Sequence, residues 1–100
     1  MRIVAYGRLR DYWTRHPETQ AGLSHWFEAV REAEWQTMLD VVRGISGAKA
    51  LNAERARFSI HGGNYRLVAA FDFPRGVVYV KFLGTHAEYD RVDVFTVAQF

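Results

Sequence analysis

The residues with the clearest chemical potential lie in one short run, Gly84-Thr-His-Ala-Glu-Tyr-Asp90. Thr85 and Glu88 are spaced as a capping box, in which a hydroxyl and a carboxylate exchange hydrogen bonds with the first backbone amides of a helix. The spacing predicts a helical turn that starts at His86 and brings Tyr89 to the same side one turn later. A histidine at a helix N-terminus sits where the dipole disfavours imidazolium and where free N–H groups can receive an anion. That arrangement suits a proton-transferring group working on a phosphate. The same residues would also serve simply as a satisfied chain reversal.

Two cations stand inside otherwise apolar strands: Arg66 between Tyr65 and Leu67, and Lys81 between Val80 and Phe82. An isolated cation in a strand must face solvent or a partner. Their relation depends on register. Pairing Phe73 with Val78 sets Arg66 opposite Thr85 and Lys81 opposite Ala70, and gathers both cations on one face. Pairing Phe73 with Val77 turns Lys81 to the other face. The first pairing is preferred because it collects the cations on the face left open, where Arg57 could join them. The alternative is scattered cations that keep strand edges soluble.

These residues need a frame. Arg2 to Tyr6 could be a first strand. Arg8 to Arg15 reads as a short helix with Leu9, Tyr12 and Trp13 on one side. Pro17 and Glu18 restart a helix whose Leu23, Trp26, Phe27 and Val30 share one apolar face. Thr37 and Asp40 form a capping-box variant for a short helix ending near Gly44. Ser46 to Glu54 reads as loop. From Arg57 the pattern becomes a meander: Arg57 to Ile60, a turn at His61-Gly-Gly-Asn64, Tyr65 to Phe73, a turn at Pro74-Arg-Gly76, and Val77 to Leu83. The order β-α-α-(α)-β-β-β predicts one α+β domain over residues 1–100. Its helices pack on one face of a largely antiparallel sheet, and the other face is open to a ligand.

Composition narrows the classes. With 100 residues the chain has one modest core. No apolar run reaches membrane-spanning length, and the charged start does not read as a signal peptide. Cysteine is absent, which excludes disulfides and cysteine-based zinc sites and suits a cytoplasmic location. The net charge of +2 hides an asymmetry: residues 41–86 carry seven Lys/Arg against two acids. A basic block fits a polyanion, or a merely solvated surface. Of the 13 cations 11 are arginine, whose planar fork suits phosphate. There is no P-loop, no HExxH, no Gly-x-Ser-x-Gly and no carboxylate cluster for a metal. His16, His25 and His61 are scattered and read as surface or turn residues.

The stretch from Arg57 to Asp93 closely resembles the HigB toxin family of the RelE/ParE superfamily. The match is carried by Phe58-Ser-Ile60, Asn64-Tyr-Arg-Leu-Val68, Val78-Tyr-Val-Lys-Phe-Leu-Gly84 and Thr85-His-Ala-Glu-Tyr-Asp90, with a looser likeness around Trp26 and Ala33-Glu-Trp35. The resemblance implies a RelE-like fold and cleavage of mRNA in the ribosomal A site without a metal or other cofactor. It also implies a HigA-like helix-turn-helix antitoxin as partner. It places Arg66 and Lys81 as cations of the active face, with His86 and Tyr89 nearest the chemistry. RelE itself relies on several lysines, whereas this chain has only Lys49 and Lys81, which shifts weight to Arg66, Arg57 and His86. Lys49, Arg55 and Arg57 are the expected contacts to RNA backbone. The competing expectation is a non-catalytic module on the same fold, such as a ParE-like gyrase inhibitor.

Overall fold

The computed structural model describes residues 1–4 and 6–100. Strand β1 (Arg2–Val4) leads into helix α1 (Tyr6–Arg15), a 3-10 turn at Pro17–Thr19, and helices α2 (Gln20–Glu32) and α3 (Met38–Gly44). Strands β2 (Ala48–Ala50), β3 (Arg55–Ile60), β4 (Tyr65–Asp72) and β5 (Val77–Thr85) follow, and a single turn, α4 (His86–Tyr89), closes the regular structure. The expected first strand is found to Val4; Ala5 lies outside the described residues, and Tyr6 already belongs to α1.

The sheet order is β1-β5-β4-β3-β2. Only the β1–β5 pair is parallel, so the sheet is mixed but largely antiparallel, and the helices lie on one side of it. This is the α+β, RelE-like architecture that the sequence predicts.

Alternation decides which face is covered. Ala56, Phe58 and Ile60 of β3, Leu67, Ala69 and Phe71 of β4, and Val78, Val80 and Leu83 of β5 are buried in one core with Leu9, Leu23, Trp26 and Val30 of the helices. Trp26 meets Phe58 edge-on, with ring centres 5.5 Å apart. Such a contact adds roughly 0.5–1.5 kcal/mol to the burial itself. The alternate residues, Arg55, Arg57, Ser59, Arg66, Val68 and Ala70, therefore face the other way.

Two segments differ from expectation. Ala48–Ala50, read as loop, is strand β2, with Lys49 paired to Arg57. Ala-Lys-Ala has little strand propensity of its own. Pairing with β3 holds it, and Asn52 closes the connection by accepting hydrogen bonds from the amides of Glu54 and Arg55 (2.9 and 2.6 Å).

The second difference is that the outer face is not wholly open, because the C-terminal segment crosses it. Arg55 Nη1 donates to the carbonyls of Val94 and Val97 (3.1 and 2.9 Å). Further on, Gln99 N donates to Lys81 O (2.9 Å) and Gln99 Oε1 accepts from Leu83 N (2.8 Å). The segment thus runs from the β3 side of the face to the edge of β5 beyond the short β1. Val68 and Phe82, both on the outer face, are 0 % and 5 % exposed.

Candidate active site

The capping box at the end of β5 is fully formed. Thr85 Oγ1 accepts from Glu88 N (3.1 Å) and Glu88 Oε1 accepts from Thr85 N (2.8 Å). His86 N donates to Asn64 O in the β3–β4 turn (2.9 Å), which ties the helical turn to the hairpin beside it. The amides of Thr85, His86 and Glu88 are therefore occupied, and the Glu88 carboxylate sits at the same end of α4. The His86 ring is 51 % exposed, and its Nδ1 lies 3.1 Å from Asp90 Oδ2 one turn later. The Asp90 carboxylate therefore stands beside the ring as an ion-pair contact for a protonated imidazole. An exposed pair of this kind adds little stability.

Hydrogen bonds from the Thr85 backbone and hydroxyl hold the Glu88 carboxyl below its ordinary value of 4.5. Its folded pKa is depressed, so the stability it gives α4 is full above 4.5 and is lost as pH falls through the lower folded value. Acidification below 4.5 should loosen α4 before the core opens. The check is a pH titration that follows the Thr85 and Glu88 amide resonances against those of β4, with Glu88→Gln removing the transition. Simultaneous loss of both sets of resonances would count against a local cap.

Beside α4, the outer face gathers cations. Lys49 pairs with Arg57 across β2 and β3, and Ser59 pairs with Arg66 across β3 and β4. Paired residues project to the same side. Arg66 Nη1 donates to Ser59 Oγ (2.6 Å), and its guanidinium carbon lies 6.0 Å from the Tyr89 ring centre. Tyr89 in turn packs on Phe82, with ring centres 6.2 Å apart. The Nε atoms of Arg57 and Arg66 are both buried without a hydrogen-bond partner among the described residues. The only other such atom there, Trp26 Nε1, belongs to the core helix α2. No carboxylate lies within ion-pair distance of Arg57, Arg66 or Lys49 among the described residues. Buried donors are normally satisfied. Two unsatisfied guanidinium donors thus share one face, with no acid to balance them.

Gly84 makes the close approach of the Phe82 ring and α4 possible. It stands opposite Arg66 in the register. A Cβ there would come within 2.8 Å of the Phe82 ring and 3.1 Å of Glu88 Oε1. Gly84→Ala should cost about 1–3 kcal/mol by overpacking and displace Tyr89 through Phe82. Thermal unfolding together with Tyr89 ring shifts would measure both effects, and an unshifted Tyr89 would show that the ring does not depend on this contact.

The β4–β5 register differs from both uniform pairings considered. Arg66 faces Gly84 rather than Thr85, and Ala70 faces Tyr79 rather than Lys81. The outer half follows the pairing expected to flip Lys81, and the half next to the turn is one residue tighter. A bulge between Val68 and Ala69 absorbs the difference at Lys81. The extra residue returns Lys81 to the outer side, where it lines a hollow with Ala70 and Tyr79. Its Nζ lies 5.4 Å from the Tyr79 ring centre, toward the β4–β5 turn and away from Arg66.

Of the candidate residues, Lys49, Arg57, Arg66 and Tyr89 are thus assembled on one end of the face, and His86 stands on the adjoining turn. Lys81 lies two strands from Arg57, beside Phe82 in the same cross-strand row, and its ammonium leans toward Tyr79. Arg55 is committed to the carbonyls of the C-terminal segment. Asp90, Ser59 and Gly84 were not singled out from sequence for these roles. Asp90 had a usable signal, the i to i+4 spacing from His86; Ser59 and Gly84 gain their roles from cross-strand register, which the sequence leaves open.

None of the curated proteins compared with the chain matches it. A family model does: the HigB_toxin family, described as the RelE-like toxic component of a toxin-antitoxin system, matches residues 19–92. That stretch contains α2, α3, strands β2 to β5, α4 and every candidate residue above. The chain belongs to the HigB_toxin family of RelE-like toxins, the toxic half of a toxin-antitoxin pair.

Proposed function

We propose that the chain is a ribosome-dependent mRNA endonuclease, which arrests translation by cutting the message in the ribosomal A site. The observation that carries this reading is the pair of half-buried guanidiniums, Arg57 and Arg66, with unpartnered Nε donors, next to a histidine that has a carboxylate 3.1 Å from its Nδ1. In the reaction, the ribose 2′ oxygen attacks the adjacent phosphorus and the bond to the 5′ oxygen breaks. A proton leaves the 2′ hydroxyl and another reaches the departing 5′ oxygen, giving a 2′,3′-cyclic phosphate and a free 5′ hydroxyl. Arg66 and Arg57 stabilise the charge that develops on the non-bridging oxygens. His86 transfers a proton through Nε2, with Asp90 holding the ring. Tyr89, stacked near Arg66, contacts a base or shares that transfer. Lys49 holds the backbone nearby, and Lys81 serves the β5 side of the same face.

A single obvious proton-transfer residue suffices if the ribosome holds the message in an attack geometry. The cytoplasm, where ribosomes are, is the corresponding place of action; no helix among the described residues is long and apolar enough to cross a membrane. A HigA-like helix-turn-helix protein is the antitoxin this reading expects.

Induced expression with pulse labelling tests the reading in cells. Amino-acid incorporation should stop before thymidine incorporation does. The reverse order would favour gyrase inhibition by a ParE-like mechanism over RNA cleavage.

A further inference from the structure

The outer face has a second concavity that the reading above leaves unused. A hollow of about 450 Å³ lies at the end next to the β4–β5 turn, lined among others by Glu54, Ala70, Asp72, Phe73, Tyr79 and Lys81. Its floor is aromatic and accessible: Tyr79 is 36 % exposed, and the Lys81 ammonium leans over its ring. Its charge is unlike that of the Arg57–Arg66 end. Glu54 and Asp72 line it with Lys81, and the Asp72 carboxylate also meets Arg75 at 3.2 Å. With two acids against two cations the hollow offers a phosphate no net attraction. An uncharged planar group would be accommodated: it can stack on Tyr79, accept from Lys81 Nζ, and donate amine hydrogens to Glu54 or Asp72. Those are the properties of a nucleobase, which is read from single strands by stacking and edge hydrogen bonds.

Position supports the same ligand. Tyr79 faces Ala70, four residues along β4 from Arg66, a distance of about 13 Å at the rise of a strand. A few nucleotides of unstacked strand cover that span. The C-terminal segment runs on the same face from Arg55 to the edge of β5 and presents Phe95, 55 % exposed, to solvent. The face therefore offers a phosphate end and a base end on one side of one sheet.

We propose that the Tyr79–Lys81 hollow is a base-binding subsite for a nucleotide of the same message that flanks the cleaved phosphate, and that it biases which sequences are cut. This rests on the nuclease reading.

The test uses ribosomes programmed with a message whose A-site riboses are 2′-deoxy, so that it cannot be cut, and measures the affinity of the labelled chain. Abasic sites are introduced one position at a time. One abasic position should weaken the wild-type chain about 5- to 100-fold, the scale of one lost stacking contact. Tyr79→Ala should lose as much on the intact message and nothing further at that position. Tyr79→Phe, which keeps the ring, should behave as wild type and controls for folding. If Arg66→Ala weakens binding but Tyr79→Ala does not, the subsite is wrong and the nuclease reading stands. If Tyr79→Ala weakens binding equally on every abasic message, the hollow contacts the ribosome rather than a base, which also overturns the proposal. If neither variant changes binding, both the subsite and the reading beneath it fail.

Discussion

Arg66→Ala should lower the rate of A-site cleavage by about 10²–10³-fold, the range found when one preorganised donor to a developing oxyanion is removed. The expectation follows from how Arg66 is held. Its Nη1 is anchored on Ser59 at 2.6 Å, its plane lies near Tyr89, and its buried Nε has no partner among the described residues. The guanidinium is therefore fixed before any RNA arrives, and little reorganisation is needed as charge builds on the phosphate. Arg66→Lys keeps the charge but loses the planar fork and the anchored geometry, so it should recover only a small part of the rate. Ser59→Ala should fall between the two, since the cation remains while its tether is gone. Single-turnover cleavage on programmed ribosomes separates this loss from weaker binding. A change confined to KM would mean that Arg66 holds RNA backbone and takes no part in the chemical step.

His86→Ala should have an effect at least as large, about 10²–10⁴-fold on the chemical step, as expected for loss of a positioned proton-transfer group. The ring's Nδ1 lies 3.1 Å from Asp90 Oδ2, and Nε2 is the ring atom proposed to reach the message. Asp90→Asn should cost less, roughly 10–100-fold, because it disturbs orientation without removing the proton carrier. A message with a 5′-phosphorothiolate at the scissile bond provides a discriminating control. Its leaving group needs no protonation, so it should restore the rate of His86→Ala if His86 is the general acid. Absence of rescue would assign His86 to deprotonation of the 2′ hydroxyl.

Much of the frame was legible in the sequence, and the legible parts share a physical reason. The apolar face of α2, the two capping boxes and the glycine turn at His61–Asn64 are local features, each settled by a few neighbouring residues. Features set by distant pairing were not. Ala48–Ala50 became a strand because β3 offered an edge. The bulge at Lys81 depends on two strands whose alternation tolerates either register. The same bulge gave Lys81 the face that was preferred for it, by a route other than the register considered.

The site divides in the same way. The residue types at Arg66, His86 and Tyr89 pointed to phosphate chemistry. The expected anion cradle at the start of α4 is narrowed, because a formed capping box and the bond from His86 N to Asn64 O take up the amides of Thr85, His86 and Glu88. The crossing of the outer face by residues 93–99 had no signal in composition or periodicity. It rests on the Arg55 guanidinium and on Gln99, whose partners lie far away in sequence.

The most direct test of the central claim is to add the purified chain to translating ribosomes and map new 5′ ends on the message, with naked RNA and His86→Ala in parallel. The account predicts cuts inside A-site codons that carry 5′ hydroxyls and are absent on naked RNA and in the variant. An intact message under conditions where the same chain arrests growth would contradict it.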